Sequence, residues 1–260
     1  MMTTTKTKTI ELATALPQIG LRWAADNLDD VVAMATRKRW SPTQLLEHIA
    51  EHELQERSQH SIDRRLSRSR LGRFKPMADF DWSWPQKLDR TLVESALRLD
   101  FMDRTGNVVL VAAQGLGKTM IAKNIAYNAV VAGHNTRFVT TSDLLLDLAA
   151  CDSARTLDRR IRYWSSVKLL VLDELGYLSY DSRNADLLFQ VVSRRYENKS
   201  LVLTTNLAFS HWPTIFPNAA CTTALIDRII HHADVIAIEG ESYRRREATA
   251  ETQARRRSKP

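Results

Sequence analysis

Five short apolar runs beyond residue 106 restrict the fold of this chain more than any other feature. They are NVVLVAA (107–113), TRFVTT (136–141), KLLVLDE (168–174), SLVLTTN (200–206) and DVIAIEG (234–240). Each is rich in β-branched residues or leucine, and most end in a small or polar residue, as buried strands do. Strands that are apolar throughout need cover on both faces. The intervening stretches are long enough to supply it as helices, which predicts an α/β core built on a mostly parallel sheet. No internal repeat is apparent. No run of 18 apolar residues occurs, which argues against a membrane span.

The first third of the chain reads differently. Residues 8–40 carry apolar clusters at helical spacing. SPTQLLEHI then opens a second helical stretch, with Ser41 as N-cap and Pro42 in the first turn. A helix from 42 to Gly72, the first plausible stop, would be about 45 Å long. It is too polar for a core element, so one face is expected to meet a partner. The segment 74–90 holds Phe80, Trp82 and Trp84 between prolines and shows no period. It reads as a connector whose aromatics are packing anchors rather than base-stacking residues, followed by a helix at 91–102. The expected organisation is a small helical domain over 1–75 that binds DNA or a partner, a core over 76–245 that includes the connector 76–90, and a basic, flexible tail over 246–260.

Charge supports this division. The chain carries a net +7, but residues 57–75 alone carry +6 and 244–259 carry +5, which leaves the remainder at −4. Basicity gathered into two patches is the footprint of nucleic-acid binding, though solvated Arg-rich faces look alike. The start of the chain lacks the apolar core of a secretory signal, and its two cysteines, Cys151 and Cys221, form no motif. A reduced, cytoplasmic setting is expected.

The first run leads directly into QGLGKT and then into an amphipathic helix, the context that a phosphate-binding loop requires. Gly115 and Gly117 let backbone N–H groups curl around phosphates at a helix N-terminus, and Gln114 and Leu116 complete the loop. Lys118 is placed for the β- and γ-phosphates and the Thr119 hydroxyl for Mg²⁺. Ala112 stands where the first glycine of such loops usually lies, and alanine is acceptable there if its φ is negative. The third run ends in Asp173 and Glu174. Two acids at the end of a buried strand fit a divalent cation, with Asp173 holding Mg²⁺ through water and Glu174 polarising an attacking water. Asn206, at the tip of the fourth run, is the candidate γ-phosphate sensor. Arg228, in TALIDRIIHH, is the candidate arginine finger, reaching a nucleotide held by a neighbouring subunit.

Together GLGKT, LLVLDELGYLSYD, LVLTTNLAFSHW, ALIDRIIHHADVIAIEGESYR and RSRLGRFKPMADFDW resemble the IstB-like AAA+ ATPases, helper proteins of bacterial insertion-sequence transposition related to DnaC and DnaA. The resemblance spans nearly all of residues 8–245. It implies an AAA+ core without a full C-terminal lid, ATP and Mg²⁺ as cofactors, ATP-dependent oligomerisation into a ring or spiral on duplex DNA, and control of a partner transposase. DNA would be gripped through phosphates with little sequence preference. Arg64, Arg65, Arg68, Arg70, Arg73 and Lys75 form the first candidate set. Arg155, Arg159 and Arg160 form a second, because related ATPases carry a DNA-facing insertion at that place. A helicase loader and a non-hydrolysing ATP-gated adaptor remain as alternatives. His48 and His52 lie four apart on a helix with no third metal ligand near, and His231 and His232, beside the candidate finger, read as polar surface residues rather than ligands.

Overall fold

The computed structural model describes residues 11–177, 179–217, 219–243 and 245–246. The chain divides into two units, one ending at Arg64 and the other beginning at Arg65. The expected basic tail over 246–260 lies almost wholly outside the described residues.

In the first unit the anticipated helical stretch is broken into α1 (Leu12–Gln18), α2 (Arg22–Asp26) and α3 (Leu28–Lys38). Gly20 breaks it first, at φ 86°, a left-handed conformation that costs glycine nothing. Helix α4 (Pro42–Ser69) then carries the chain across the boundary. It starts with a capping box: the Ser41 hydroxyl accepts from the Gln44 N–H at 3.2 Å, and the Gln44 side chain accepts from the Ser41 N–H at 2.8 Å. Glu53 is buried and accepts from the Ala24 N–H at 3.0 Å, satisfying a donor in the first turn of α2. His52 stacks on Trp23 at 4.2 Å, and His48 packs edge-on to both Trp23 and His52. That histidine pair is therefore part of an aromatic cluster.

In the second unit α4 ends short of Gly72, with Arg70 at φ 61° and Gly72 at φ 60°. The expected helix at 91–102 is split at Leu99 into α5 (Arg90–Arg98) and α6 (Asp100–Asp103). The five expected strands form, each within a residue or so of its anticipated ends: β2 (Asn107–Ala112), β3 (Thr136–Thr140), β4 (Leu169–Leu175), β5 (Ser200–Thr205) and β6 (Ala233–Glu239). A sixth, β1 (Lys87–Leu88), lies in the connector, where two residues are too few to show a period. The sheet order is β1-β6-β2-β5-β4-β3. All pairs are parallel except the edge pair β1–β6.

Alternate strand residues serve two cores. Val108, Leu110, Leu169 and Val171 face one that includes Ile121 and Ile125 of α7 (Lys118–Val131). Val109, Leu170, Leu172 and Leu203 face the other, with Leu144 of α8 (Thr141–Ala149), Trp164 of α9 (Ala154–Ser165), Leu188 of α10 (Ser182–Arg195) and Leu225 of α11 (Ala219–Ile230). This is the three-layer α/β arrangement expected of the core. After β6 the described chain turns back as Gly240–Tyr243 against the loop that precedes α7, where the Tyr243 N–H donates to the Gly115 carbonyl at 2.9 Å. No helix among the described residues is long and apolar enough to cross a membrane.

Candidate nucleotide-binding site

The carboxyl ends of β2, β5 and β4 lie side by side, and each delivers one sequence motif to the same cleft. From β2 comes the glycine loop. Ala112 is the last, buried residue of the strand and is not among the residues of positive φ, so its methyl group is accommodated. Gly115 and Gly117 are left-handed, at φ 80° and 89°. A Cβ on Gly115 would stand 2.1 Å from the Ser242 hydroxyl, and one on Gly117 would stand 2.7 Å from the Phe80 ring. Both glycines are therefore required twice, by conformation and by the close approach of neighbouring chain. Lys118 opens α7, and its ammonium donates to the carbonyls of Ala112 and Ala113 at 2.6 and 2.8 Å.

From β4 come the two acids. Asp173 is buried, and its side-chain partners are hydroxyls. Thr119 lies 3.0 and 3.1 Å from its two oxygens, and Thr204 bonds to Oδ1. A buried carboxylate beside a threonine hydroxyl, with no cationic partner among these contacts, is a hard-oxygen donor set that suits Mg²⁺. Glu174 is exposed and left-handed, at φ 62°. From β5 comes Asn206, half-buried just beyond the strand, its side-chain oxygen close to Gly176.

Residues 114–119, Glu174 and Asn206 line a cleft of about 640 Å³, with Asp173 buried behind Thr119, together with residues that sequence reasoning placed elsewhere. Phe80 and Trp84, expected to be packing anchors only, both face the cleft, as does Tyr243. Trp82 does serve as an anchor, 4.9 Å from Phe80 and beneath Arg90. Arg73 and Lys75, assigned to a DNA-binding arm, also line the cleft. The connector is held there by buried Asn124 of α7, which donates to the Lys75 carbonyl at 3.0 Å and accepts from the Met77 N–H at 3.0 Å. A run of aromatics next to a glycine loop in space has no local sequence signature, since the loop lies some thirty residues away.

The remaining candidates lie outside the cleft. Arg228 is half-buried, bonded to the Ser193 hydroxyl and 4.4 Å above the Phe189 ring. It does not line the cleft of its own chain. Arg64, Arg68, Arg70, Arg155 and Arg159 are exposed. Arg65 donates to the Val130 carbonyl at 3.0 Å, at the end of α7. Arg160 forks onto Asp147, which also accepts from the Trp164 indole at 2.6 Å. Burial alone would raise the Asp147 carboxyl. The bonds from Arg160 and Trp164, with the charges of Arg160 and Arg70, outweigh it and hold the group below the usual carboxylate range. Arg65 and Arg160 thus have structural engagements that their sequence positions did not reveal. Away from the cleft, His231 and His232 meet Glu197 in an exposed group whose ligand atoms lie within 4.8 Å of one another. The His231 ring nitrogen is hydrogen-bonded to the Tyr196 hydroxyl at 2.8 Å.

The family described as IstB-like ATP binding protein matches residues 14–251 of this chain. The chain is similar to the ATP-binding protein of insertion sequence IS5376 from Geobacillus stearothermophilus, at 33% identity over 232 residues, covering 89% of this chain and 90% of that one. It is 32% identical over 237 residues to the ATP-binding protein of insertion sequence IS21 from Pseudomonas aeruginosa, covering 91% and 89% of the two chains. In fold it is similar to the crystal structure of DnaI, with a TM-score of 0.51 at 20% identity, over 63% of this chain and 90% of that one.

Proposed function

The chain belongs to the family of IstB-like ATP-binding proteins, and on that premise we propose that it is a DNA-stimulated ATPase that oligomerises on duplex DNA and directs a partner transposase. The observation that carries the reading is that Lys118, Thr119, Glu174 and Asn206 line one cleft, with Asp173 hydrogen-bonded to Thr119 behind it, each from the end of a rigid element. The N–H groups of residues 114–119 and the Lys118 ammonium would hold the phosphates of ATP, while Thr119 and Asp173 would hold Mg²⁺. Bound Mg²⁺ supplies charge neutralisation on the phosphate oxygens. Glu174, exposed to the cleft, orients a water and accepts its proton, and Asn206 places that water against the γ-phosphate. Phe80, Trp84 and Tyr243 offer aromatic surface to the base.

Arg228 does not line the cleft of its own chain, and its part in turnover would be to complete the site of a neighbouring subunit, coupling hydrolysis to assembly. Arg64, Arg68, Arg70, Arg155 and Arg159 would meet DNA phosphates, with Arg73 and Lys75 acting closer to the nucleotide. Five such contacts imply a log–log salt slope of roughly −4 to −5. A cytoplasmic protein fits this role.

The test is binding to equal-length duplex and single-stranded DNA with ATP, with ADP and without nucleotide, beside Lys118→Ala and Glu174→Gln. Duplex binding that requires ATP, is lost in Lys118→Ala and persists without turnover in Glu174→Gln is expected. Preference for single strands would point instead to a helicase loader. Tight, nucleotide-gated binding with no turnover under any condition would point to a non-hydrolysing adaptor.

A further inference from the structure

The two acids of β4 owe their directions to a single hydroxyl on the neighbouring strand. From Leu169 to Leu172, β4 pairs residue for residue with β5, as Leu172 with Leu203. The register then shifts, so that Leu175 pairs with Thr205. Two residues, Asp173 and Glu174, therefore stand against one, Thr204. Such a bulge breaks the ladder and re-aims a side chain. Glu174 adopts φ 62° there, a left-handed conformation that a non-glycine residue keeps only where its surroundings hold it.

What holds it is Thr204. This residue is fully buried, yet its hydroxyl is used in both directions: it accepts from the Glu174 N–H at 2.9 Å and donates to Asp173 Oδ1. The N–H that the bulge withdraws from the strand ladder is thereby paired, and Glu174 is turned out into the cleft. The same hydroxyl fixes the Asp173 carboxylate in the orientation that meets Thr119. A second hydroxyl, from Thr141, donates to the Asp173 carbonyl at 3.1 Å and steadies the backbone at that point.

We propose that Thr204 is a positioning residue for this site, one hydroxyl that sets both the cation-binding acid and the water-orienting acid. The inference rests on the ATPase reading above and deepens it. It separates two neighbouring threonines by role. Thr205, next in the strand, spends its hydroxyl on the Leu207 N–H and carbonyl, shaping the turn that follows β5.

Thr204→Val and Thr204→Ser of the full chain make the test. Valine matches threonine in shape and suits a strand interior, but can neither donate nor accept. Serine restores both bonds. In Thr204→Val, ATP binding in EDTA should equal that of the wild type, because the glycine loop is untouched. The Mg²⁺ concentration that half-saturates the metal-dependent part of ATP binding should rise roughly tenfold, and kcat should fall by roughly ten- to a hundredfold, as for other residues that orient metal ligands. KM for ATP at saturating Mg²⁺ should stay within about twofold, and Thr204→Ser should follow the wild type in every readout. A Thr204→Val protein with wild-type Mg²⁺ requirement and wild-type turnover overturns the proposal. So does one that loses metal-free ATP binding together with its melting temperature, which would mark Thr204 as merely structural. If the wild type binds ATP without hydrolysing it, the ATPase reading fails while the Mg²⁺ titration still decides the role of Thr204. A wild type that binds no ATP overturns both.

Discussion

Gly115→Ala tests whether the returning chain after β6 is fitted against the phosphate loop. Two costs can be separated. The first is conformational: Gly115 sits at φ 80°, and an alanine held in the left-handed region costs about 1–2 kcal/mol. The second is steric: the new methyl would meet the Ser242 hydroxyl at 2.1 Å and its Cβ at 3.1 Å. The hydroxyl can rotate away, whereas Cβ cannot leave without moving the backbone, and the Tyr243 N–H ties that backbone to the Gly115 carbonyl at 2.9 Å. Such overpacking adds about 1 kcal/mol. Together these disfavour the loop shape by about 2–3 kcal/mol. Because only the properly shaped fraction binds, ATP affinity should fall by roughly 30- to 150-fold.

The assay is anisotropy of a fluorescent ATP analogue, with thermal denaturation as a control for folding. Ser242→Gly in the same chain removes the steric part and leaves the conformational part. The double variant should therefore bind roughly fivefold more tightly than Gly115→Ala alone, with Ser242→Gly by itself close to the wild type. Gly115→Ala within threefold of the wild type would refute the whole argument. A double variant no better than Gly115→Ala would refute the fitted contact and leave only the backbone strain.

Two further predictions concern the frame that carries the site. Arg195 is buried with no carboxylate partner among the described residues, and its guanidinium donates to the carbonyls of Trp164, Ser165, Val167, Lys168 and Ser200. Burial pulls its pKa down to about 9, but the carbonyls, two of them at the open end of α9, favour the cation. Arg195→Met should strand those acceptors and cost about 3 kcal/mol, lowering the melting temperature by roughly 6–12 °C, and an unchanged melting temperature would show that they repair themselves. Asp147→Asn should cost about 1 kcal/mol at pH 7. The folded pKa of Asp147 lies below its unfolded value near 3.9, so its contribution is complete above that value and disappears as pH falls through the folded one. The gap between wild type and Asp147→Asn in urea unfolding should accordingly be full at pH 7 and close as the pH falls below the usual carboxylate range. A gap independent of pH would mean that the charge on Asp147 does not matter.

What could be read from the sequence is what the backbone writes locally. The strands announced themselves because burial on both faces leaves no room for polar residues, and the glycine loop because its shape needs glycine at fixed spacing. Asp173 and Glu174 stood out as acids at the end of an apolar run. The hydroxyl of Thr204 did not, because threonine is an ordinary strand residue and nothing local shows that two residues of β4 oppose it. Arg65 and Arg160 were indistinguishable from their exposed neighbours for a related reason: whether an arginine is free depends on a carbonyl or carboxylate far away in the chain, here Val130 and Asp147.

The aromatic wall of the cleft was hidden by topology, and the topology also explains it. β6 runs parallel to β2, so its end, Glu239, lies level with the start of the glycine loop, where Ala112 pairs with Ile238. β1 runs antiparallel to β6, with Lys87 opposite Glu239, so the chain entering β1 comes from that same end. Everything just before Lys87 and just after Glu239 is therefore delivered to the phosphate loop, whatever its sequence. Trp84 and the returning segment are then joined directly, the indole donating to the Glu241 carbonyl at 2.7 Å. A two-residue strand with no readable period thus decides that Phe80 and Trp84 face a nucleotide cleft rather than only a core. Once that strand pair is known, the placement of the connector follows from the sheet order alone.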